Sequence, residues 1–286
     1  MTDSIERVVQ FGDELVGIMT LPERMTPGAP ACLLLNTGVM NRIGPHRLNV
    51  KIARAIAAVG VPSLRIDLSG LGDSLASKAP LRADEQAVLD LQAAMDHVQQ
   101  TLGIDRFVVF GLCSGAVNGY RLALGDPRVA GLMMFDGFVF PTFKTALLRR
   151  WIRLRRMGWP ERLRKVRDRL LFRARRPAAQ RRLEGDGLLD VQFQTPSRDQ
   201  FAQSMEMLIR RGTAVFLFYS GSYAGGHNYK GQLRDAFGKA MFLDHARYDF
   251  MVDVDHTLTP LETQRRVIAL FSDWVQSLPG KTAIST

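Results

Sequence analysis

The sequence predicts an α/β fold in which a mostly parallel central sheet is covered by helices on both faces. Short, continuous apolar runs of the kind found in buried parallel strands alternate with longer segments whose apolar residues recur at helical spacing. Hydrophobic residues make up 46% of the 286-residue chain, which is enough for a sizeable core. We therefore expect one large domain, or one domain with an insertion.

The expected strands begin with an N-terminal hairpin, in which residues 7–11 pair with residues 15–20 across Gly12 and Asp13. Further strands are expected at apolar runs, which cover residues 31–36, 61–66, 107–110, 129–135 and 214–219. A weaker run at residues 246–252 is the last candidate.

The expected helices lie between these strands. Their apolar residues recur three or four positions apart, in residues 46–59, 83–102, 116–124 and 261–278. Strands that alternate with helices in this way imply a mostly parallel sheet covered on both faces.

The alternation breaks between about residues 140 and 210. This segment has no strand pattern, its first half is rich in arginine, and apolar residues recur in it at helix-like spacing. We interpret residues 140–210 as an inserted helical cap, with residues 1–139 and 211–286 as the two parts of the core. A disordered basic segment is the alternative, and the recurring apolar residues argue against it.

The formal net charge of +10 is concentrated in this insertion. Residues 149–182 hold fifteen Lys and Arg residues and two acidic ones, so the rest of the chain is slightly acidic. Because the charge is confined to one segment and no aromatic stacking platform accompanies it, we do not expect nucleic acid as a partner. Arginine binds carboxylate and phosphate groups, so the cap favours an anionic substrate or partner. Trp151 and Trp159 lie among the arginines, and this pattern also fits an anionic membrane surface.

Other classes of protein are disfavoured. No stretch approaches the ~18 unbroken apolar residues of a membrane span, and the N-terminus lacks the pattern of an export signal. The two cysteines, Cys32 and Cys113, form no metal-like pair, so we expect neither a metal site nor a cofactor. A free thiol at a reactive turn fits a reducing cytosol, and we expect a cytoplasmic protein.

Residues 111–115 read Gly-Leu-Cys-Ser-Gly and directly follow the apolar run 107–110. The pattern is typical of a nucleophile elbow, a strained strand–turn–helix in which the middle residue stands exposed above the sheet. Cys113 occupies that middle position, where serine is usual, and we expect it to be the nucleophile. Ser114 is a rival nucleophile but lies off-centre between the glycines. The remaining alternative is a chance pair of glycines around a buried cysteine.

A nucleophilic thiol needs a general base, and the chain offers five histidines. His256 follows the last expected strand and precedes the final helix. In α/β-hydrolases the histidine occupies this place in the chain, after the nucleophile and the acid. The other four lie within a helix, at the start of one, or in polar connections. We therefore expect His256 to be the base.

Four segments together resemble the α/β-hydrolase superfamily. They read Leu-Leu-Leu-Asn-Thr-Gly-Val at 33–39, Arg-Ile-Asp-Leu-Ser-Gly-Leu-Gly-Asp-Ser at 65–74, Gly-Leu-Cys-Ser-Gly at 111–115 and Asp-His-Thr at 255–257. More narrowly, the chain resembles the serine-aminopeptidase-type hydrolases that include those associated with exosortase and exopolysaccharide loci. The resemblance covers nearly the whole chain apart from the cap. The cysteine at the elbow resembles that of dienelactone hydrolases, polyhydroxyalkanoate synthases and some carrier-protein thioesterases.

The resemblance implies an α/β-hydrolase fold with a helical cap and the remaining site residues. The backbone N–H groups of Ser114 and Val39 would form an oxyanion hole. The acid that orients the histidine usually follows the strand ending near Tyr219, but residues 220–226 contain no carboxylate. Some family members use the end of the preceding strand, which is Asp136 here, and we favour it.

Two further acids and one simpler arrangement stay open. Asp253 and Asp255 are alternative acids, although Asp255 would reach His256 only through a turn, because adjacent residues of an extended chain point apart. A Cys–His dyad without an acid is also viable because a thiol needs less activation than a hydroxyl.

These residues predict an acyl-transfer hydrolase that cleaves an ester or thioester through an acyl-enzyme on Cys113. The substrate would be a small molecule or an acyl group carried by a carrier protein or coenzyme A, and the basic cap suggests that it is anionic. An acyltransferase with an alcohol or amine acceptor is the first alternative. A non-catalytic scaffold with this fold is the second, and the missing carboxylate after Tyr219 is the feature that favours it.

Overall fold

The computed structural model describes residues 4–156, 195–221 and 226–280. The chain divides into two compact units. The larger unit comprises Met1–Phe140 and Pro196–Thr286, and the smaller comprises Pro141–Thr195.

Eight strands of the described residues form one sheet in the larger unit. They are β1 (Ile5–Phe11), β2 (Leu15–Leu21), β3 (Ala31–Leu34), β4 (Ser63–Ile66), β5 (Phe107–Leu112), β6 (Val129–Phe135), β7 (Ala214–Ser220) and β8 (Arg247–Met251). Their order across the sheet is β1-β2-β4-β3-β5-β6-β7-β8. β2 is antiparallel to β1 and to β4, and every other neighbouring pair is parallel. The carboxyl ends of β3 to β8 therefore meet at one edge of the sheet.

Helices connect the parallel strands. The described helices are α1 (Leu48–Ala57), α2 (Ala83–Leu102), α3 (Ser114–Gly125), α4 (Phe143–Arg156), α5 (Arg198–Arg210), α6 (Gln232–Phe237), α7 (Phe242–His245) and α8 (Leu261–Ser277). Of the described helices, α4 alone lies in the smaller unit. No helix in the described ranges combines the length and the apolar character that a bilayer crossing needs.

The core lies on both faces of the central strands. Every residue of β3 and β5 is buried, as expected for parallel strands covered on both sides. Ile52 of α1 and Phe271 of α8 pack into the same apolar cluster as Phe110 of β5. Burial of each such side chain contributes about 1.5–3 kcal/mol. The core thus fixes the strand ends from which the candidate site projects.

The elements expected from the sequence agree closely with the structure. The N-terminal hairpin is confirmed by an antiparallel register that pairs Phe11 with Leu15. Helix α1 begins two residues later than expected because His46 and Arg47 have φ angles of 50° and 60°. These angles lie in the left-handed region, which an α-helix of L-residues does not include.

The expected end of the insertion at residue 210 was wrong. Helix α5 belongs to the larger unit, and its Phe201, Met205 and Leu208 are fully buried. A capping box starts this helix: Gln200 N–H donates to Ser197 Oγ at 3.2 Å, and Ser197 N–H donates to Gln200 Oε1 at 2.9 Å. Most of the arginine-rich remainder of the expected cap lies outside the described residues.

Candidate active site

The carboxyl edge of the parallel sheet brings the expected site residues together. Cys113 directly follows β5, Asp136 directly follows β6, and His256 lies in the loop between β8 and α8. This edge is where open α/β sheets hold their ligands.

Cys113 occupies a strained turn between strand and helix. Its backbone has φ 58° and ψ −115°, a conformation that costs a non-glycine residue on the order of 1–3 kcal/mol. The Cys113 N–H donates to Phe135 O at 2.9 Å, and α3 begins at the next residue. A Cβ at Gly111 would overlap the backbone of Gly115, so only glycine fits there. The expected elbow geometry is present, with the partly exposed thiol at its turn.

His256 is hydrogen-bonded to the carboxylate of Asp136. Nδ1 of His256 lies 2.8 Å from Oδ2 of Asp136, whose side chain is almost completely buried. Ser220 donates two further hydrogen bonds to the Asp136 carboxylate. Its N–H donates to Oδ1 at 2.8 Å and its hydroxyl donates to Oδ2 at 2.5 Å. The Asp136 N–H donates to Phe218 O at 2.9 Å. The carboxylate is therefore held rigidly against one imidazole nitrogen.

The electrostatic surroundings favour a protonated His256. The hydrogen bond to Asp136 is the main cause that raises the pKa of His256 to about 10, and the neighbouring Cys113 side chain is the second. Burial of the ring opposes both of them. His256 thus lies between the electrostatic influence of a carboxylate and that of a thiol, as a base does in a nucleophile–base–acid arrangement.

The two alternative acids have other partners. The Asp255 carboxylate accepts hydrogen bonds from the N–H groups of Thr257 and Thr259, at 3.0 Å each, in the turn before α8. Burial alone would raise the pKa of Asp255, but these hydrogen bonds lower it. Asp253 forms an ion pair with Arg266 at the surface. Asp136 is therefore the carboxylate that the geometry joins to His256.

The loop after β3 is joined to the start of α3. Gly38 N–H donates to Ser114 Oγ at 2.6 Å, so the hydroxyl of the rival nucleophile is engaged in holding this loop. Met40 N–H closes a turn to Thr37 O at 3.0 Å, and the Val39 side chain is 71% exposed. None of the hydrogen bonds found among the described residues uses the N–H of Val39 or of Ser114 as donor, so both can donate to a bound group.

A second network supports this loop, and sequence reasoning did not find it. Asn36 Nδ2 donates to Met40 O at 2.8 Å, and Arg42 N–H donates to Asp67 Oδ1 at 2.6 Å. Asp67 is fully buried and pairs with the Arg42 guanidinium. Asn36 and Asp67 each lie in one of the two motifs at residues 33–39 and 65–74, and this was the signal available in the sequence. The sequence did not indicate Ser220 either, because no local pattern marks this residue.

Groups of three or more His, Cys, Asp or Glu side chains that could hold a metal ion do not occur among the residues that the structure describes.

The comparisons with known proteins concern the fold. No family model and no curated protein matches the sequence. Among solved structures, an esterase from Pyrococcus furiosus has a TM-score of 0.60 and 11% identity, covering 98% of this chain and 92% of the other. An α/β serine hydrolase homologue from Coxiella burnetii has a TM-score of 0.54 and 12% identity, covering 96% and 97%. A thioesterase domain from the curacin biosynthetic pathway has a TM-score of 0.52 and 16% identity, covering 96% and 100%. The chain therefore has the α/β-hydrolase fold.

Proposed function

We propose that the protein is a hydrolase that cleaves an ester or thioester through an acyl-enzyme intermediate on Cys113. The observation that carries the proposal is that a thiol, an imidazole and a buried carboxylate meet at the carboxyl edge of the sheet. His256 is hydrogen-bonded to Asp136, Cys113 lies close enough to His256 to raise its pKa, and Asp136 is fixed by Ser220. Structural neighbours described as esterases, a serine hydrolase homologue and a thioesterase support this class of reaction.

The first half of the reaction forms the acyl-enzyme. His256 holds the proton of Cys113, and the resulting thiolate attacks the carbonyl carbon of the substrate. The N–H groups of Ser114 and Val39 donate to the oxygen that becomes negatively charged. When the tetrahedral intermediate collapses, the bond to the leaving alcohol or thiol breaks and His256 gives that group its proton. Asp136 stabilises the imidazolium while it carries the proton.

The second half releases the acyl group with water. His256, now neutral, takes a proton from a water molecule, and the hydroxide adds to the thioester carbon. Collapse breaks the bond to sulfur, the acid product leaves, and His256 returns its proton to Cys113. The thiolate is a good nucleophile and a good leaving group, which suits both halves.

The position of Cys113 supplies further activation. The thiol stands at the N-terminus of α3, a helix of twelve residues whose dipole favours negative charge there. Cysteine reactivity depends on such a positive environment together with partial exposure, and Cys113 has both. A reactive free thiol also fits a reducing, cytoplasmic compartment, which we retain as part of this proposal.

The two alternative functions, a non-catalytic scaffold and an acyltransferase, are not equally supported. The hydrogen bond between Asp136 and His256 means that the missing carboxylate after β7 no longer favours a non-catalytic scaffold. An acyltransferase would use the same first half and replace water with an alcohol or amine. An anionic acyl group, free or on a carrier, stays our proposal for the substrate because of the arginine-rich segment at residues 149–182.

A covalent-adduct experiment tests the proposal. The protein is incubated with short-chain p-nitrophenyl esters and acyl thioesters, and intact mass is measured together with product release. We expect one acyl adduct, lost in Cys113→Ala and retained in Cys32→Ala. Cys32 is the matched control because it is completely buried and burial raises the pKa of its thiol far above the usual range.

The outcomes separate the candidate functions. Absence of an adduct over the whole panel, with unchanged behaviour of Cys113→Ala, would overturn both enzymatic readings. An adduct that turns over only after an alcohol or amine is added would identify an acyltransferase instead of a hydrolase. An adduct on Ser114 in the Cys113→Ala variant would show that the elbow was assigned to the wrong residue.

A further inference from the structure

Helix α4 carries an exposed apolar stripe that the proposed reaction does not use. Phe143, Leu147 and Trp151 are 79%, 50% and 53% exposed. They follow one another at four-residue steps, so they lie along one side of the helix within an arc of about 80°. Thr145, on the other side, is buried. Large apolar side chains grouped in this way on a surface mark an interaction site.

Basic side chains border the stripe on both sides. Lys144 and Arg150 are exposed, and helical geometry sets each about 20° outside the stripe, at opposite margins. The fourteen residues of α4 include six Lys and Arg, and residues 137–160 contain no Asp or Glu. The helix start is defined by Thr142, whose Oγ1 accepts a hydrogen bond from Thr145 N–H at 3.2 Å. The exposed side of α4 is therefore apolar along its middle and positive along its margins.

We infer that α4 is an interfacial helix that binds an anionic lipid surface. Phe143, Leu147 and Trp151 would enter the boundary between headgroups and acyl chains, and Lys144 and Arg150 would contact lipid phosphates. Amphipathic helices of this composition lie in the plane of a membrane, where Trp and Phe favour the interface. The inference rests on α4 alone and does not depend on the proposed acyl-transfer activity.

A lipid surface fits this helix better than a polyanion does. Phosphates of nucleic acid would pair with the basic margins, but the apolar middle would then stay in water or lie against a charged backbone. A membrane satisfies both parts at once, because phosphate groups lie at the level of the margins and acyl chains lie below them. Each basic residue near such a surface is worth on the order of fivefold in affinity at low salt.

Vesicle flotation with the full chain tests the inference. Vesicles of phosphatidylcholine alone are compared with vesicles that also contain phosphatidylglycerol, at low and at high salt. We expect binding to the anionic vesicles only, weakened by salt. The triple variant Phe143→Ser, Leu147→Ser, Trp151→Ser should lose this binding. The double variant Lys144→Gln, Arg150→Gln should weaken it by roughly thirtyfold at low salt.

A matched control separates this stripe from surface hydrophobicity in general. Val8, Leu89 and Leu261 are 74%, 49% and 61% exposed in the larger unit, and changing all three to Ser should leave vesicle binding unchanged. Equal binding to neutral and anionic vesicles, or retention of binding by both α4 variants, would overturn the inference. Tighter binding to duplex DNA or polyglutamate than to anionic vesicles would overturn it as well. If the triple variant fails to fold by circular dichroism, the double variant carries the test.

Discussion

Asp67 and Asp136 occupy equivalent places in the sheet, yet their carboxylates have different partners. Asp67 directly follows β4, Asp136 directly follows β6, and both are buried at the same edge. The Asp67 carboxylate pairs with the guanidinium of Arg42 and accepts two backbone N–H groups, from Arg42 at 2.6 Å and Asp73 at 3.1 Å. The Asp136 carboxylate accepts two hydrogen bonds from Ser220 and contacts His256.

The ability of the partner to lose its proton decides what each carboxylate can do. A guanidinium keeps its proton at every pH that the fold survives, so Asp67 can only hold the loop at residues 37–42 in place. An imidazole can gain and lose a proton, so Asp136 can stabilise charge that forms on His256 during the proposed reaction. Asp67 and Asp136 thus occupy the same kind of position in the fold. The neighbouring cation makes the first a structural acid and the second a candidate catalytic acid.

The largest effect is expected from Asp136→Asn. The amide has the size of the carboxylate but cannot stabilise the imidazolium or fix its tautomer. The equivalent change in serine proteases lowers kcat by about 10⁴, and since a thiol needs less help we expect a loss of about 10²–10³ here. Steady-state kcat on the ester that gives the adduct measures this loss, and urea unfolding should show that the variant is folded.

Asp255→Asn is the matched control for that variant. Its carboxylate caps the turn at Thr257 and Thr259, so kcat should stay within about twofold of the original. A large loss for Asp255→Asn with little loss for Asp136→Asn would reverse the assignment of the acid. Little loss in either variant would favour the Cys–His dyad.

Asp67→Asn should show the opposite profile, a loss of stability that exceeds its loss of activity. The change leaves Arg42, whose side chain is 17% exposed, with Asp73 as its remaining ion-pair partner, and the Asp73 side chain is 66% exposed. Breaking a buried pair from one side costs about 3–5 kcal/mol, and the contact with Asp73 places the expected value near 3. Urea unfolding gives this free energy.

The variant Arg42→Lys tests the same ion pair from the side of the cation. Lysine keeps the charge but cannot span both carboxylates as the guanidinium does, so we expect a smaller destabilisation than for Asp67→Asn. If Asp67→Asn unfolds at the same urea concentration as the original protein, the carboxylate does not stabilise the loop. If it abolishes turnover while stability is unchanged, Asp67 acts in catalysis and the contrast with Asp136 fails.

The sequence predicted the fold and part of the candidate site because those features are local. Apolar runs and helical spacing located every strand of the described sheet to within a few residues, and the pattern at residues 111–115 located the elbow. Asp136 could be proposed through a family resemblance, since nothing near it in the chain points to His256, 120 residues away. The contacts of Ser220 with Asp136 and of Arg42 with Asp67 join residues 84 and 25 positions apart. A single sequence carries no record of such pairings.

The last expected effect is on the pH dependence of stability, and it distinguishes the two carboxylates by titration. Contact with Asp136, and secondly with Cys113, raises the pKa of His256 from its ordinary 6.5 to about 10. A group with a higher pKa in the folded protein stabilises the fold while it is protonated. The contribution of His256 is therefore complete below pH 6.5 and is lost as the pH rises to about 10.

Urea unfolding between pH 6.5 and 10 measures this contribution in the original protein and in the two Asp→Asn variants. The stability advantage of the original over Asp136→Asn should shrink steadily across that range, because it depends on a proton that His256 loses. Its advantage over Asp67→Asn should stay constant, since arginine does not titrate there. A constant difference for Asp136→Asn would mean that His256 is not held protonated by this carboxylate. The two acids would then differ in their neighbours without differing in what those neighbours do.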